Sequence, residues 1–254
     1  MFCHFGLLGA LEIELTGGVN NMSYDLELPV IGNFSLRGDI SKAWSFEFNI
    51  ERDSVFQNIA DFRLKTRTDH FGFEFGILSG ITDDFEQFGA GFLGSIEFTW
   101  PGVLFLSVNG SSTLSSPFGI TGDNFLETAG AKFGFWLPFA VITLSADTKS
   151  FIKNTGICDN LIRYTFSADF FRKTSNVSLR IDGGYQTLSR GVYGEEDPTE
   201  ELNSLFAGLD LQFNVSKNLR FIFGGEIPFL FDEAAPEDLS TRFKAYGGIK
   251  ITIF

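Results

Sequence analysis

The chain has 254 residues, of which 32 are Phe and 28 are Gly, and its formal net charge at pH 7 is −13. This negative charge disfavours nucleic acid as a partner, because the phosphates would repel the chain. Hydrophobic residues make up 44% of the sequence, but they are spread over short segments, and no run approaches the roughly 20 apolar residues that a membrane helix needs.

The first ten residues, MFCHFGLLGA, are similar to the end of a secretory signal. Phe5, Leu7 and Leu8 precede the small pair Gly9 and Ala10, as in the apolar core and cleavage site of such a signal. The basic segment that should come first is missing. We therefore interpret residues 1–10 as the remnant of a signal peptide and residues 11–254 as a single domain.

From Leu11 onward, apolar and polar side chains alternate, which predicts half-buried β-strands. The third segment is an example, with Phe46 and Phe48 on one face and Glu47 and Asn49 on the other. The predicted strands are 11–17, 31–38, 44–51, 57–66, 71–77, 92–100, 103–109, 128–137, a ninth from the turn at Pro138 to about 147, 162–170, 177–182, 205–214, 219–223 and 242–254.

The last of these segments alternates without a break from Phe243 to Ile253. A strand at the end of a chain would be an exposed edge and a template for aggregation unless another strand pairs with it. Pairing with the first strand closes a barrel and removes the edge. The sequence therefore predicts a closed barrel.

The connections between the strands alternate in length. Those near 39–42, 67–69, 101–102, 138, 172–175 and 216–218 are short, whereas 111–124, 150–160, 189–202 and 229–240 are long, and Cys158 falls in one of the long ones. An even number of strands with short turns at one end and long loops at the other is typical of outer-membrane barrels. We predict an all-β fold, a closed antiparallel transmembrane β-barrel of about 14 strands, with 12 to 16 possible.

A β-rich chain with an amphipathic last strand and an aromatic last residue, Phe254, resembles the bacterial outer-membrane β-barrels. The resemblance implies location in the bacterial outer membrane, contact with outer-membrane lipids, and Phe254 as the insertion signal through which the barrel-assembly machinery engages the last strand. The Phe-rich style is also similar to uncharacterised barrels of spirochaetes such as Treponema.

The three tryptophans all fall beside short turns of the predicted barrel. Trp44 follows one, and Trp100 and Trp136 each precede one. Aromatic girdles lie at the membrane boundaries of such barrels, so we predict that Trp44, Trp100 and Trp136 belong to a periplasmic aromatic girdle. Trp136 has the inward parity, which would place it in the mouth of the lumen.

Charged side chains recur on the polar face of the strands. A dry interior could not hold so many, because each unpaired charge costs several kcal/mol to desolvate, whereas a water-filled lumen holds them easily. Two interpretations stay open: cross-strand ion pairs that stiffen the wall, and charges that set the field of a pore. The predicted pore-lining residues are Glu47, Asp61, Arg63, Lys65, Glu74, Glu97, Lys132, Arg163, Asp169, Arg180, Asp182, Asp210, Arg220, Lys244 and Lys250.

These features predict a porin-like channel for passive diffusion of small hydrophilic solutes. A negative mouth concentrates cations within a Debye length, about 8 Å at physiological salt, so we also predict a preference for cations. The acidic residues of the predicted loops are Asp83, Asp84, Glu86, Glu195, Glu196, Asp197, Glu200, Glu201, Asp232, Glu233, Glu237 and Asp238.

Other folds and functions make different demands on the sequence. A soluble β-sandwich or lipocalin-like barrel would turn its apolar face inward. An enzyme is not expected, because His4 lies in the leader and His70 at a short turn, and no cofactor or metal is expected, because no Cys/His cluster has metal-ligand spacing. A surface-structural or adhesive barrel with a closed lumen and a transporter for hydrophobic compounds remain alternatives. The sequence leaves the solute and the oligomeric state open.

Overall fold

The computed structural model describes residues 10–20, 30–53, 57–81, 88–114, 126–152, 156–170, 176–192, 200–230 and 243–253. The insertion signal predicted at Phe254, nearly all of the predicted signal remnant, the short connection near 172–175 and most of the acidic loop residues lie outside these ranges. In the described ranges, no helix is long and apolar enough to cross a membrane.

The described residues form antiparallel strands that hydrogen-bond in chain order into one closed barrel. The prediction of a 14-stranded closed barrel is confirmed. The strands are β1 (Leu11–Asn20), β2 (Val30–Asp39), β3 (Trp44–Asp53), β4 (Gln57–Arg67), β5 (Phe71–Ile81), β6 (Phe88–Trp100), β7 (Leu104–Leu114), β8 (Leu126–Trp136), β9 (Ala140–Ile152), β10 (Ile157–Phe170), β11 (Val177–Val192), β12 (Glu200–Asn214), β13 (Leu219–Leu230) and β14 (Lys244–Ile253).

The first and last strands close the barrel. β1 pairs with β14 over its whole length, from Leu11 opposite Ile253 to Asn20 opposite Lys244. The Nζ of Lys250 lies 2.7 Å from the Oε2 of Glu12, so an ion pair on the inner side joins the two strands. This pairing satisfies the backbone groups of both terminal strands, which would otherwise be open edges.

The connections define two ends of the barrel. We call the end with the connections 40–43, 68–70, 101–103, 137–139 and 215–218 the turn end, and the opposite end the loop end. Leu11, the first residue of β1, and Ile253, the last residue of β14, both lie at the turn end.

The strands reach further toward the loop end than the alternation of side chains indicated. The predicted loop 150–160 is wrong, because β9 continues to Ile152 and β10 begins at Ile157, so that Cys158 lies in a strand. Residues 189–192 and 200–202 of another predicted loop also belong to strands. The reason is that ladder hydrogen bonds join backbone groups whatever the side chains are. Polar pairs reinforce these extensions, since Arg190 donates to both carboxylate oxygens of Asp159 at 2.7 and 3.1 Å.

Apolar side chains cover the outside of the barrel. On β5, Phe73, Phe75 and Ile77 are 44%, 50% and 59% exposed. The aromatic rings also contact each other on the outer face, where Trp44 meets Phe75 edge to face with centroids 6.3 Å apart. The soluble alternatives would bury these side chains, so the exposed apolar belt indicates a lipid surface.

Candidate pore interior

Every residue predicted to line a pore lies on the inner parity of its strand, opposite the exposed apolar side chains. The residues form two groups on different parts of the wall. The first group, on β3 to β6, contains Glu47, Asp61, Arg63, Lys65, Glu74 and Glu97; the second, on β8 and β10 to β14, contains Lys132, Arg163, Asp169, Arg180, Asp182, Asp210, Arg220, Lys244 and Lys250.

Glu47 is the centre of the first group. Its side chain is 4% exposed, and Arg37 Nη2 lies 2.6 Å from its Oε1. The ammonium of Lys65 pairs with the other carboxylate oxygen of Glu47 and also with Glu74 Oε2 at 3.2 Å. Two cations on one carboxylate offset the desolvation of a buried charge. These contacts join β2, β3, β4 and β5 on the inner side.

Arg63 extends the same set of contacts. Its Nε and Nη2 donate to the two oxygens of Asp61 at 2.5 and 2.9 Å, and its Nη1 donates to Glu74 Oε1 at 3.0 Å. Bidentate arginine–carboxylate pairs are strong and directional. We call the whole set the ion-pair network; its bases balance its acids, and its members are Arg37, Glu47, Asp61, Arg63, Lys65 and Glu74.

Glu97 lies closer to the turn end and is more exposed. Its side chain is 37% exposed and lies 3.5 Å from Arg67 Nη2, and it accepts a hydrogen bond of 2.9 Å from Thr99 Oγ1. Glu97 and Glu74 both line a cavity of about 340 Å³ that opens at the turn end. The ion-pair network is therefore accessible from this end of the barrel.

A second cavity of about 480 Å³, the central cavity, lies against the wall formed by β7 to β14. Its volume holds several water molecules or a small solute. Because acids outnumber bases among its charged lining residues, the cavity carries a small negative excess. Those residues are Lys132, Asp147, Arg163, Asp169, Arg180, Asp182, Asp210, Glu226 and Lys244.

Arg163 spans part of this cavity. It lies on β10, yet its Nη1 donates to Glu226 Oε1 on β13 at 3.1 Å, and its Nη2 donates to the other oxygen. Its guanidinium also lies 3.7 Å from the centroid of the Phe206 ring. The ring has room because Gly184 has no side chain; a Cβ there would lie 3.0 Å from ring carbons of Phe206. The contact crosses the inner surface of two intervening strands, which requires both groups to face inward.

Two other arginines of the second group differ in whether their partners are charged or neutral. Arg180 Nε donates to Asp182 Oδ1 at 2.8 Å and Arg180 Nη2 to Ser167 Oγ at 3.2 Å. Arg220 donates to the neutral side chains of Asn214 and Gln212, at 2.7 and 2.9 Å. The charge of Arg220 is therefore hydrogen-bonded without being neutralised by these partners.

The tryptophans divide between the two faces. Trp44 and Trp100 lie at the turn end with 41% and 59% of their surface exposed on the outside. Trp136 differs: its ring packs inside the barrel against Phe105, with centroids 5.2 Å apart, and Phe105 lines the central cavity. Trp136 therefore lies inside the barrel at the turn end, as its inward parity indicated, and does not join Trp44 and Trp100 on the outer face. The odd residues of β8, such as Phe133, hold the outer face, so the even position 136 turns inward.

Sequence reasoning missed an apolar cluster inside the barrel toward the loop end. Ile59, Leu78, Leu126 and Phe151 are at most 9% exposed and pack together, and Leu93 and Leu161 pack against them. We call these six residues the apolar cluster. The signal was present in the sequence, because each occupies the inward parity, where charged residues were expected. The predicted strands were too short to include most of it, since positions 78, 126, 151 and 161 lay outside them.

Histidine, cysteine, aspartate and glutamate side chains do not cluster as metal ligands within the part of the chain that the structure describes. Within those ranges, no group of three or more His, Cys, Asp or Glu is placed to hold a metal ion. His70 lies at the turn end, where its Nδ1 is 3.1 Å from the carbonyl oxygen of Thr99. This contact ties the connection between β4 and β5 to β6.

No protein-family model matches the sequence, and no curated protein matches it. Among solved structures, the chain is similar to a bacterial polysaccharide outer membrane secretin, with a TM-score of 0.54, 8% identity, and coverage of 96% of this chain and 97% of that one. It is also similar to OmpT of Vibrio cholerae (TM-score 0.49, 7% identity, 96% of each chain) and to the NanC porin (TM-score 0.45, 8% identity, 95% of this chain and 99% of that one).

At such identities the likeness shows the fold alone. The likeness to the outer membrane secretin, with the apolar exterior and the charged interior, gives the chain the fold of the outer-membrane β-barrels. The resemblance to this class that the sequence predicted is confirmed at the level of fold.

Proposed function

We propose that the protein is a channel of the bacterial outer membrane through which small hydrophilic solutes diffuse passively, with a preference for cations. The observation that carries the proposal is a single closed wall that is apolar outside and ionised inside, with a charged cavity of about 480 Å³ against it. Such a wall suits a lipid surface on one side and water on the other.

The outer face supports the proposed location. Exposed Phe and Ile side chains on many strands would meet lipid chains, and Trp44 and Trp100 at the turn end would mark the periplasmic boundary. In this proposal the partners are outer-membrane lipids along the wall and the barrel-assembly machinery at the last strand. The channel performs no catalysis and needs no cofactor.

The charge distribution supports cation preference. The ion-pair network is balanced and contributes little net field, whereas the acids of the central cavity outnumber its bases. The whole chain carries a net charge of −13, much of it in the sequence of the connections. A negative field of this kind attracts cations over a Debye length of about 8 Å at physiological salt.

Conductance in a planar bilayer tests the proposal. Purified protein is inserted into a neutral lipid bilayer, and the reversal potential is measured under a potassium chloride gradient. We expect discrete conductance steps, a reversal potential of the sign that cation preference gives, and loss of the preference as salt rises. Anion preference would refute the electrostatic argument and leave the channel itself standing.

A second candidate function is a surface-structural barrel with a closed lumen. The apolar cluster favours it, because Phe151 is fully buried and Leu126 is 2% exposed inside the barrel, so that apolar side chains fill part of the interior. The test is conductance of protein whose folding is verified by the shift in gel mobility that heating causes. Folded protein that does not conduct would favour this candidate.

A further inference from the structure

Six polar side chains form a block on the inner face of β1, β2 and β3. Strand pairing places them in two neighbouring rows, in which each residue lies opposite the next across the strands. The rows are Glu14, Ser35, Asn49 and Thr16, Asn33, Glu51. Residues opposite one another in a sheet have Cβ atoms about 4.5–5.5 Å apart, so these side chains can converge on one small ligand. We call the six residues the polar block.

Two oxygen atoms of the polar block are buried without a hydrogen bond. Ser35 is 5% exposed, and its Oγ bonds to no described residue; the same holds for the Oδ1 of Asn33. Both side chains project from the inner face of β2, the central strand of the block. Buried polar atoms nearly always have a partner, so two unpaired ones on neighbouring inward positions indicate a bound water molecule or ion.

The carboxylates of Glu14 and Glu51 lie at opposite corners of the polar block. Among the residues that the structure describes, neither carboxylate has an ion-pair partner. Lys250 on β14 is the cross-strand neighbour of Glu14, but its ammonium pairs with Glu12 at 2.7 Å. The polar block therefore holds two negative charges that no adjacent cation neutralises.

Asn49 adds a third neutral oxygen. Its Nδ2 donates to Asp61 Oδ1 on β4 at 3.1 Å. A carboxylate only accepts hydrogen bonds, so this contact fixes the orientation of the amide and leaves Asn49 Oδ1 on the side away from Asp61. The nearby arginines are engaged elsewhere, Arg63 with Asp61 and Arg37 with Glu47. The groups that remain for a ligand are mainly oxygen acceptors.

Two cavities give access to the polar block. Glu51 lines a cavity of about 180 Å³, together with Thr16 and Asn33, and also a cavity of about 280 Å³. Lys244 contributes to the first cavity from β14, nearer the loop end than Gly248, the cross-strand neighbour of Thr16. Both volumes hold water, so a hydrated ion can reach Glu51 from either cavity.

We propose that the polar block binds a hard divalent cation of the calcium type, with Glu14 and Glu51 supplying the charge and Ser35, Asn33 and Asn49 the neutral oxygens. Ca²⁺ takes about six to eight oxygen ligands from carboxylates, amide carbonyls and water in a flexible geometry. Softer metals prefer imidazole and thiolate, which the polar block lacks. The site goes beyond the proposed function, because it requires the closed barrel and not conduction.

Calcium titration of the barrel, refolded in a neutral detergent, tests the site. Chelator-treated protein is titrated with calcium chloride in a calorimeter at low ionic strength, and folding is verified by the shift in gel mobility that heating causes. Glu14→Gln and Glu51→Gln should each weaken the strongest binding step at least about tenfold, because calcium affinity follows the charge of the ligands. Ser35→Ala removes one neutral ligand and should weaken it roughly two- to fivefold.

Glu201→Gln is the matched control. Glu201 lies on the outer face of β12, where its Oε1 accepts from Asn203 Nδ2 at 2.6 Å, so the same charge change is made outside the polar block. It should leave the strongest step unchanged. Equal binding to the wild type and to Glu51→Gln would assign the calcium to other acids and overturn the site. A folded wild type that binds no calcium would show that the polar block holds water only.

A local measurement places the ion. In a chain with Cys3→Ser and Cys158→Ser, Thr16→Cys is modified by a small anionic methanethiosulfonate reagent with and without calcium chloride. Bound calcium should raise the rate roughly two- to fivefold, because a positive charge a few ångströms away attracts the anion, and Glu51→Gln should abolish the rise. A rate that calcium leaves unchanged would contradict the placement.

These results are separable from the conductance measurement. A barrel that binds calcium in the polar block without conducting refutes the proposed channel and retains the site. A barrel that conducts and binds no calcium retains the channel and refutes the site.

Discussion

Tyr246 on β14 donates a hydrogen bond from its phenol to the carboxylate of Asp210 on β12, across the intervening strand β13. The side chain can cross because Gly224 lies beneath it; a Cβ at Gly224 would be 2.3 Å from Tyr246 Cζ and 2.4 Å from Asp210 Oδ1. Three consecutive strands are thereby joined on the inner wall of the central cavity. Glycine at this position serves close approach of its neighbours.

We predict that Gly224→Ala lowers the free energy of unfolding by about 1–3 kcal/mol, the usual cost of forcing extra atoms into a packed site. Urea unfolding of the barrel in lipid vesicles measures it. Gly247→Ala is the matched control, since its Cβ would meet nothing nearer than 3.5 Å. Equal stability of the two variants would show that Tyr246 does not lie across Gly224.

The two faces of β5 predict opposite responses to arginine. Phe73 is 44% exposed on the outer face near the turn end, so Phe73→Arg places a charge against lipid and is expected to cost about 1–2 kcal/mol, less than the roughly 2–4 kcal/mol of a midplane position. Gly72→Arg faces the turn-end cavity beside Glu97 and should cost much less. The unfolding midpoints of both variants are compared in lipid vesicles. Equal losses of stability would contradict the assignment of the two faces.

A similar pair exists on the two faces of β12. Leu209 is 44% exposed outside, and Gln212 on the inner face accepts from Arg220. Leu209→Arg should destabilise the barrel by the same roughly 2–4 kcal/mol, and Gln212→Arg by less. A larger loss for Gln212→Arg would mean that the register of β12 is shifted by one residue, which exchanges the two faces.

Glu47 should contribute more to stability than Glu97. Glu47→Gln leaves Arg37 and Lys65 without their shared carboxylate, and we expect a loss of about 1–3 kcal/mol, as for hydrogen bonds to charged groups. Glu97→Gln removes a longer contact of 3.5 Å from an exposed pair and should change stability by about 0–1 kcal/mol. The free energy of unfolding is measured at low and high salt. A larger loss for Glu97→Gln than for Glu47→Gln would show that the ion-pair network does not stabilise the wall.

The ends of β12 report the orientation of the barrel. Glu200 begins this strand at the loop end, and Lys217 lies in the turn that follows it. In intact cells, an impermeant maleimide should label Glu200→Cys and should reach Lys217→Cys only after permeabilisation. The reverse pattern would invert the topology while leaving the fold unchanged.

Much of the barrel was determined by the sequence alone. Alternation with a period of two assigned Phe73 to the lipid face and Glu74 to the interior, because successive strand side chains must point to opposite faces. The unbroken pattern from Phe243 to Ile253 predicted a strand that needs a partner, and β1 supplies it. Short and long connections then fixed which ends of the strands lie together.

Tertiary structure decided what the interior looks like. Whether Arg163 pairs with a neighbour or reaches Glu226 two strands further depends on Gly184 and Phe206 between them, which alternation does not encode. The apolar cluster likewise forms only when β4 to β10 curve around a common interior and bring Ile59 toward Phe151. A strand pattern specifies the face on which a side chain lies; the curvature of the closed wall decides which side chains meet.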